Sequence, residues 1–213
     1  MMRALCLGAG GHARVVADAA RLDPGVELVG LLDDDTLLQG TERSGLSVLG
    51  PIGDLSDLAR ERDADHAVVG IGGHRADAIR AELAQRVLDA GLALATVRHP
   101  SAVIAGSARI GPGVALLAGA VVNADASLGR NTILNTRAVV EHDAVIGDHT
   151  HVCPGAIVLG AAVVGRGSFV GAGAVVVQGV RVGEGVTIGA GAVVVRDVPD
   201  GATVAGVPAG PLG

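Results

Sequence analysis

The sequence predicts a two-part fold: a small α/β, Rossmann-like domain, then an all-β solenoid of stacked parallel strands. Two observations carry this. From Ile104 to Pro199 the chain reads as 16 consecutive hexapeptides without a slip, the first position being Ile, Leu or Val in all 16 and the fifth Ala, Ser, Thr or Val in all 16. Before it, over residues 3–97, apolar runs of strand length alternate with segments of helical spacing. A register held so long marks a repeat architecture. Six is the wrong period for a helix, and β-branched residues with frequent Gly favour short strands and tight corners. One hexapeptide cannot bury its aliphatic residue alone, so the repeats must stack. First and fifth positions then point inward, and third and fourth lie on the outer surface.

Residues 3–7 read as the first strand and residues 15–22 as a helix. Val26 to Leu32 is a second strand, ending in Asp33-Asp34-Asp35. Residues 36–53 read as irregular, with Gly40, Gly45, Gly50 and Pro51 as breakers. Leu55 to Arg62 is a short helix, His66 to Ile71 a strand, Arg75 to Ala90 a helix and Leu92 to Val97 a strand. Such alternation argues a small parallel sheet. His99-Pro100-Ser101 is the hinge, giving domains at 1–98 and 99–213.

Composition removes several function classes. The chain of 213 residues is 49% hydrophobic, but with one Phe and no Trp or Tyr it offers almost nothing for base stacking. All 16 basic residues are Arg and the net charge is −6, so no basic field invites nucleic acid or an anionic membrane. Cys6 and Cys153 fall in different segments and form no metal or disulfide framework. No charged-then-apolar leader precedes Leu5 and no apolar run approaches 18 residues, so the expectation is a soluble cytoplasmic protein.

Two stretches carry chemistry. Gly8-x-Gly10-x-x-Ala13 fits the dinucleotide fingerprint, with Asp33 following 20 residues after Ala13. Glycines after a strand let backbone N–H groups approach a pyrophosphate at a helix N-terminus. NAD is the obvious reading. The domain is too short for the full six-stranded fold, however, and nothing downstream looks like a hydride-transfer site; a plain tight turn and a nucleotide-sugar site are the other readings. The second stretch is Glu141-His142-Asp143, a histidine flanked by carboxylates among small aliphatic residues. A carboxylate can fix one ring nitrogen and raise the basicity of the other.

The hexapeptide pattern resembles the left-handed parallel β-helix of the hexapeptide acyltransferases, in which three hexapeptides make one triangular coil and residues 18 apart stack. GAGGHARVVAD, LLDDD, VVGIGGHR, HPSAVI, LNTRAVVEHD, GDHTHVCPGA and AGVPA occur in that order. Together they resemble the sugar-nucleotide N-acetyltransferases of the bacillosamine type, with which sialic acid O-acetyltransferase-like proteins share the pattern. The resemblance implies a homotrimer with active sites between neighbouring β-helices, acetyl-CoA as cosubstrate, no metal, and an N-terminal domain holding the nucleotide of a nucleotide-sugar acceptor. Position by position, it implies His142 as general base with Asp143 as partner carboxylate, although the family often has Glu there, so Asp143 or Glu141 orients the ring. It implies that His151 meets acetyl-CoA, that Ala172 and Ala190 line the coenzyme groove, and that Gly10, Gly11, His12, Asp33, Asp34 and Gly72 contact the nucleotide sugar. The turn Ala205 to Ala209 resembles the family's coenzyme-binding turn, with Gly210 where a basic residue usually follows.

A thioester is already activated, so direct attack by a neutral amine suffices, with an imidazole taking the proton and an N–H stabilising the carbonyl oxygen. Gly160, 18 residues after His142, stacks over it and is the expected donor, close to the acyl group because it has no side chain. The alternatives are a Cys153 nucleophile, a zinc cluster of His142, His149 and His151, O-acetylation of sialic acid or another sugar, and a trimeric scaffold without catalysis.

Overall fold

The computed structural model describes residues 1–74 and 76–212. The first domain is built on a six-stranded sheet of β1 (Met2–Leu7), β2 (Val26–Leu32), β3 (Glu42–Arg43), β4 (Leu46–Gly50), β5 (His66–Val69) and β6 (Ala93–Leu94), in the order β3-β4-β2-β1-β5-β6. All pairs are parallel except β3 with β4. Helices α1 (Gly11–Leu22), α2 (Leu55–Glu61) and α3 (Asp77–Asp89) make the crossovers. The expected start of the third helix, Arg75, lies outside the described residues. α1 buries Ala13, Val16, Ala17 and Ala20, the i, i+3, i+4, i+7 stripe of a core-facing helix. Its small residues allow close packing: a Cβ at Gly70 would stand 2.5 Å from Cys6 Sγ and 3.0 Å from Ala13 Cβ.

Two expectations are corrected here. Residues 36–53 are irregular only in part, over 36–41: Leu46–Gly50 pairs with β2, and Glu42–Arg43 folds back on it. The breakers sit at its ends, Gly45 (φ 74°) in the hairpin turn and Pro51 after the last residue. The single strand expected over 92–97 is two: β6 closes the edge of the sheet and β7 (Val97–Arg98) is the first rung of the solenoid.

The solenoid is a parallel β-helix with three faces. On the first, β7 is followed by Ala115–Leu116, Ile133–Leu134, His151–Val152, Phe169–Val170, Thr187–Ile188 and Thr203–Ala205. The second runs from Val103–Ile104 through Val139–Val140 to Val193–Val194, and the third from Arg109–Ile110 through Val145–Ile146 to Arg181–Val182. Partners are 18 apart, as in Ala115 with Ile133 and Val139 with Ile157. First and fifth positions form one aliphatic core, including Val122, Ala126, Leu134, Val140, Ala144, Val158 and Ile188. The fourth position turns every corner but those of Ser107 and Asp197 in the left-handed region. Glycine usually takes it, but Asp125, Asn131, Arg137, Asp143, His149 and Ala161 adopt it too. The first face packs against the N-terminal domain, Ala115, Leu117 and Ile133 sharing a core with Ala4, Cys6 and Ala13. The second face points Val103, Val121, Val139, Ile157, Val175 and Val193 outward, an aliphatic row along the whole stack.

Glycine at the second position lets coils approach. A Cβ at Gly171 would lie 2.6 Å from both Ala190 N and Ile188 O. At Gly10, by contrast, a Cβ meets nothing within 4 Å, and φ is −76°. Gly171→Ala is therefore expected to cost about 1–3 kcal/mol by overpacking, while Gly10→Ala leaves stability unchanged. Urea denaturation of the two variants beside the parent checks this.

Candidate active site

The corner between the second and third faces carries the histidine. His142 and Asp143 are third and fourth residues of their hexapeptide and both are exposed in the single chain. Asp143 turns the corner at φ 59°, a conformation that short polar side chains tolerate better than longer ones. The turn brings Asp143 Oδ2 to 2.9 Å from His142 Nδ1. Glu141 is engaged elsewhere: its Oε1 accepts from Asn123 Nδ2 at 2.8 Å, and its Oε2 from the His142 backbone N–H at 3.3 Å. Asp143 thus fixes the ring, and Glu141 fixes the backbone under it. Asn123, one coil below Glu141, is a member of the site that the sequence reading missed; its signal was the same 18-residue spacing that paired His142 with Gly160. The hydrogen bond to Asp143, helped by the charges of Asp143 and Glu141, raises the His142 pKa above its ordinary value.

Gly160 lies over the ring. A Cβ there would stand 2.7 Å from both Cε1 and Nε2 of His142. The next amide, Ala161 N–H, donates to His142 O at 2.9 Å, which ties the two coils at this corner. The Gly160 N–H pairs with no acceptor among the described residues. Ala172 and Ala190 are exposed third-position residues of the corner between the first and second faces, one above the other. Cys153 is at that same corner but 4% exposed, and burial pushes its thiol up to about 12.

The second group sits at the carboxyl ends of β1 and β5, where open α/β sheets bind ligands. Gly8, Gly10, Gly11, His12, Asp33, Gly70 and Gly72 line a cleft of about 190 Å³. Gly10 caps the 12-residue α1, so that helix's unpaired N–H groups open toward the cleft. Asp33 shapes the loop, its Oδ2 accepting from Ala9 N–H at 2.7 Å and its Oδ1 from Asp35 N–H at 2.9 Å. Asp34 accepts from Ile52 N–H at 2.8 Å. Gly72 makes room for the imidazole of His12, which a Cβ would meet at 2.8 Å. A larger cleft of about 490 Å³, by Ala17, Pro24, Leu28 and Leu46, lies at the opposite ends of the strands and gathers no comparable set of groups.

His151 is on neither open corner. It stands on the first face, 6% exposed, its ring 5.9 Å from that of His12 and edge-on to Phe169 at 5.3 Å. Asn135 Oδ1 accepts from Thr136 N–H at 2.8 Å, which turns the Asn135 amide nitrogen to His151 Nε2 at 3.0 Å. Asn135, too, was missed in the sequence. Burial, with the nearby Arg80 charge, lowers His151 to about 3 and His12 to about 4. Both are neutral at physiological pH, and His151 carries its proton on Nδ1, buried with no partner among the described residues. His142, His149 and His151 lie on two different corners and a face and do not converge. Among the described residues no group of three or more His, Cys, Asp or Glu is placed to hold a metal ion, and no helix is long and apolar enough to cross a membrane.

Stacked hexapeptide coils with one histidine–carboxylate corner, joined to an α/β domain with a glycine-lined cleft, define a class: the hexapeptide-repeat acyltransferases. Residues 161–196 match the bacterial transferase hexapeptide (six repeats) family, and residues 3–87 match the PglD N-terminal domain family. Perosamine N-acetyltransferase from Caulobacter crescentus, solved with CoA and GDP-perosamine, is 37% identical over 100% of this chain and 98% of its own, with a TM-score of 0.92. The acetyltransferase domain of PglB from Neisseria gonorrhoeae, solved with acetyl coenzyme A, is 40% identical over 99% and 98%, with a TM-score of 0.90. WeeI from Acinetobacter baumannii is 27% identical over 100% of both chains, with a TM-score of 0.85. No curated protein sequence matches the chain. The chain belongs to the bacillosamine-type sugar-nucleotide N-acetyltransferases.

The geometry sets an expectation for titration. His142 should titrate above the ordinary histidine value in an NMR pH series, because Asp143 favours the imidazolium. Asp143→Asn should lower that pKa, whereas Glu141→Gln should lower it less, since Glu141 acts only by charge at a distance.

Proposed function

We propose that the protein transfers the acetyl group of acetyl-CoA to the amino group of a nucleotide-linked amino sugar, of the UDP-4-amino-sugar or GDP-perosamine type. The observation that carries this is the His142–Asp143 pair under Gly160, in a chain that matches the perosamine enzyme from end to end. The nucleotide sits in the cleft of Gly10, Gly11, His12, Asp33 and Gly72, its diphosphate toward the N-terminus of α1, and Asp34 follows on the same loop. The coenzyme runs along the corner of Ala172 and Ala190. Neutral His151, packed 5.9 Å from the His12 ring, backs the wall of the nucleotide cleft.

His142 Nε2 removes a proton as the sugar nitrogen attacks the thioester carbon; Asp143 holds Nδ1–H and steadies the imidazolium. The Gly160 N–H donates to the oxygen that gains charge. The carbon–sulfur bond breaks, and the thiolate of CoA leaves and is protonated. A thiol held near 12 has no part in this, which supports direct transfer over a Cys153 intermediate.

Within one chain the nucleotide cleft belongs to the domain on the first face, while His142 stands where the second and third faces meet. A complete site therefore needs a neighbouring copy. The aliphatic row of the second face offers the surface, and three such faces close a homotrimer. The free, buried Cys6 and Cys153 fit a reducing compartment, in keeping with a cytoplasmic enzyme.

The chemistry is tested by the rate of CoA release across a panel of amino-sugar nucleotides. His142→Ala should lower kcat by about 10²–10⁴, less so at high pH, where the amine is neutral without help; acetyl-CoA affinity should hold. Cys153→Ala should keep its turnover. A near-parental His142→Ala enzyme would refute the histidine base. The assembly is tested separately. Ile157→Asp should dissociate the trimer in sedimentation and abolish turnover, and an active monomer would overturn the shared site.

A further inference from the structure

α3 sets one arginine where a charge is costly. Arg80 is 1% exposed, and burial lowers its pKa to about 10, so it remains a cation at neutral pH. Its guanidinium spans two coils, Nη1 donating to the His149 carbonyl at 2.8 Å and Nη2 to the Asn131 carbonyl. Asn131 answers with its amide nitrogen, which donates to the Arg80 carbonyl at 3.0 Å and lies 3.0 Å from His149 Nδ1. The two corners so held are left-handed, with φ of 52° at Asn131 and 60° at His149. Gly113, Gly167 and Gly185 take the same position elsewhere on that edge. The two non-glycine corners thus sit at the points that Arg80 grips, in a conformation that glycine adopts more readily.

Stability alone does not call for this arrangement. Glycine would suit both corners, and an apolar side chain in place of Arg80 would avoid desolvating a charge. Most of the rest of the seam is small and apolar, Ala4, Cys6 and Ala13 against Ala115, Leu117 and Ile133, with the rings of His12 and His74 against those of His151 and Phe169. Apolar contacts resist separation but have no direction, and the bond from Arg98 N–H to Asp23 Oδ2 at 2.7 Å ties the domain only at the first rung, so the seat of α3 on the later coils needs another anchor. The Arg80 fork is directional in both members.

We propose that Arg80, with Asn131 and His149, is a positioning device that fixes the register of the acceptor-holding domain on the coils. The inference rests on the function proposed above. The nucleotide cleft is built wholly within the first domain, and the coenzyme corner wholly within the solenoid. A latch between them therefore governs how the amine and the thioester meet, and governs neither binding constant. A misplacement of about 1 Å at the reacting atoms is enough to cost roughly 10²-fold in rate.

The test uses the full-length protein and counts active sites by CoA binding. Asn131→Gly keeps the corner with a residue that adopts it more readily, so it should melt no lower than the parent. It should nonetheless lose roughly tenfold in kcat, with unchanged dissociation constants for CoA and for UDP or GDP. Arg80→Met should lose up to roughly a hundredfold, and Arg80→Lys, which reaches one carbonyl instead of two, should recover part of it. If Arg80→Met does not fold, Asn131→Gly decides alone. An unchanged kcat per CoA site in Asn131→Gly, or a loss confined to ligand affinity, overturns the latch. A parent protein that binds no nucleoside diphosphate and acetylates no amino-sugar nucleotide overturns the function itself, and the latch with it.

Discussion

Backbone hydrogen bonding between coils is the interaction on which everything else here depends. Each rung donates to the next, which lies 18 residues on from Val97 N to Val114 O through Phe169 N to Val186 O, and 16 residues on in the last step, from Thr187 N to Ala202 O. The ladder fixes the rise between coils, and so any two side chains one coil apart meet at a set distance. That is how Asn123 reaches Glu141, how Gly160 covers His142 and how Ala172 falls under Ala190. A corner built this way owes little to loop conformation. Its parts are held by a scaffold that is rigid because each coil is bonded on both sides.

The five histidines near the two sites divide by environment. His142 is open and beside two carboxylates, so its imidazolium is favoured. His12, His149 and His151 are shifted the other way, first by burial and then by Arg80. His74 keeps the edge of Phe169 at 5.4 Å. One fold thus raises the basicity of an open imidazole beside carboxylates and lowers that of its more buried imidazoles.

Much of this was legible in the sequence, for a physical reason. A strict period ties each residue to a face, a corner and a height, so the stacking of His142 and Gly160 follows from counting. The first strand, its glycine turn and Val26–Leu32 were equally plain. What counting missed depends on three dimensions. Leu46–Gly50 was hidden because breakers at its ends resemble breakers within it. The strand over 92–97 was split because the pattern does not say which sheet a residue joins. Arg80 acts across the seam between domains, where no local pattern points, and Asn135 meets His151 at a spacing of 16, not the 18 of the stacking rule. The choice of Asp143 over Glu141 as the ring's partner rested on a left-handed turn that only the backbone reveals.

The segment from Asp197 to Leu212 has a consequence for assembly. It takes up the last rung on every face: Val198 N donates to Arg181 O, Ala209 N to Val193 O, and Thr203–Ala205 pairs with Thr187–Ile188 before Gly210–Pro211 turns back antiparallel. A stack of parallel coils with a bare final rung is a template on which another stack can grow end to end. Here the final edge reverses direction and carries Pro211, which has no N–H to offer. Such an edge offers another stack no continuous parallel rung to extend. Sideways contact can close into a ring of fixed size, whereas axial contact would run on as a filament.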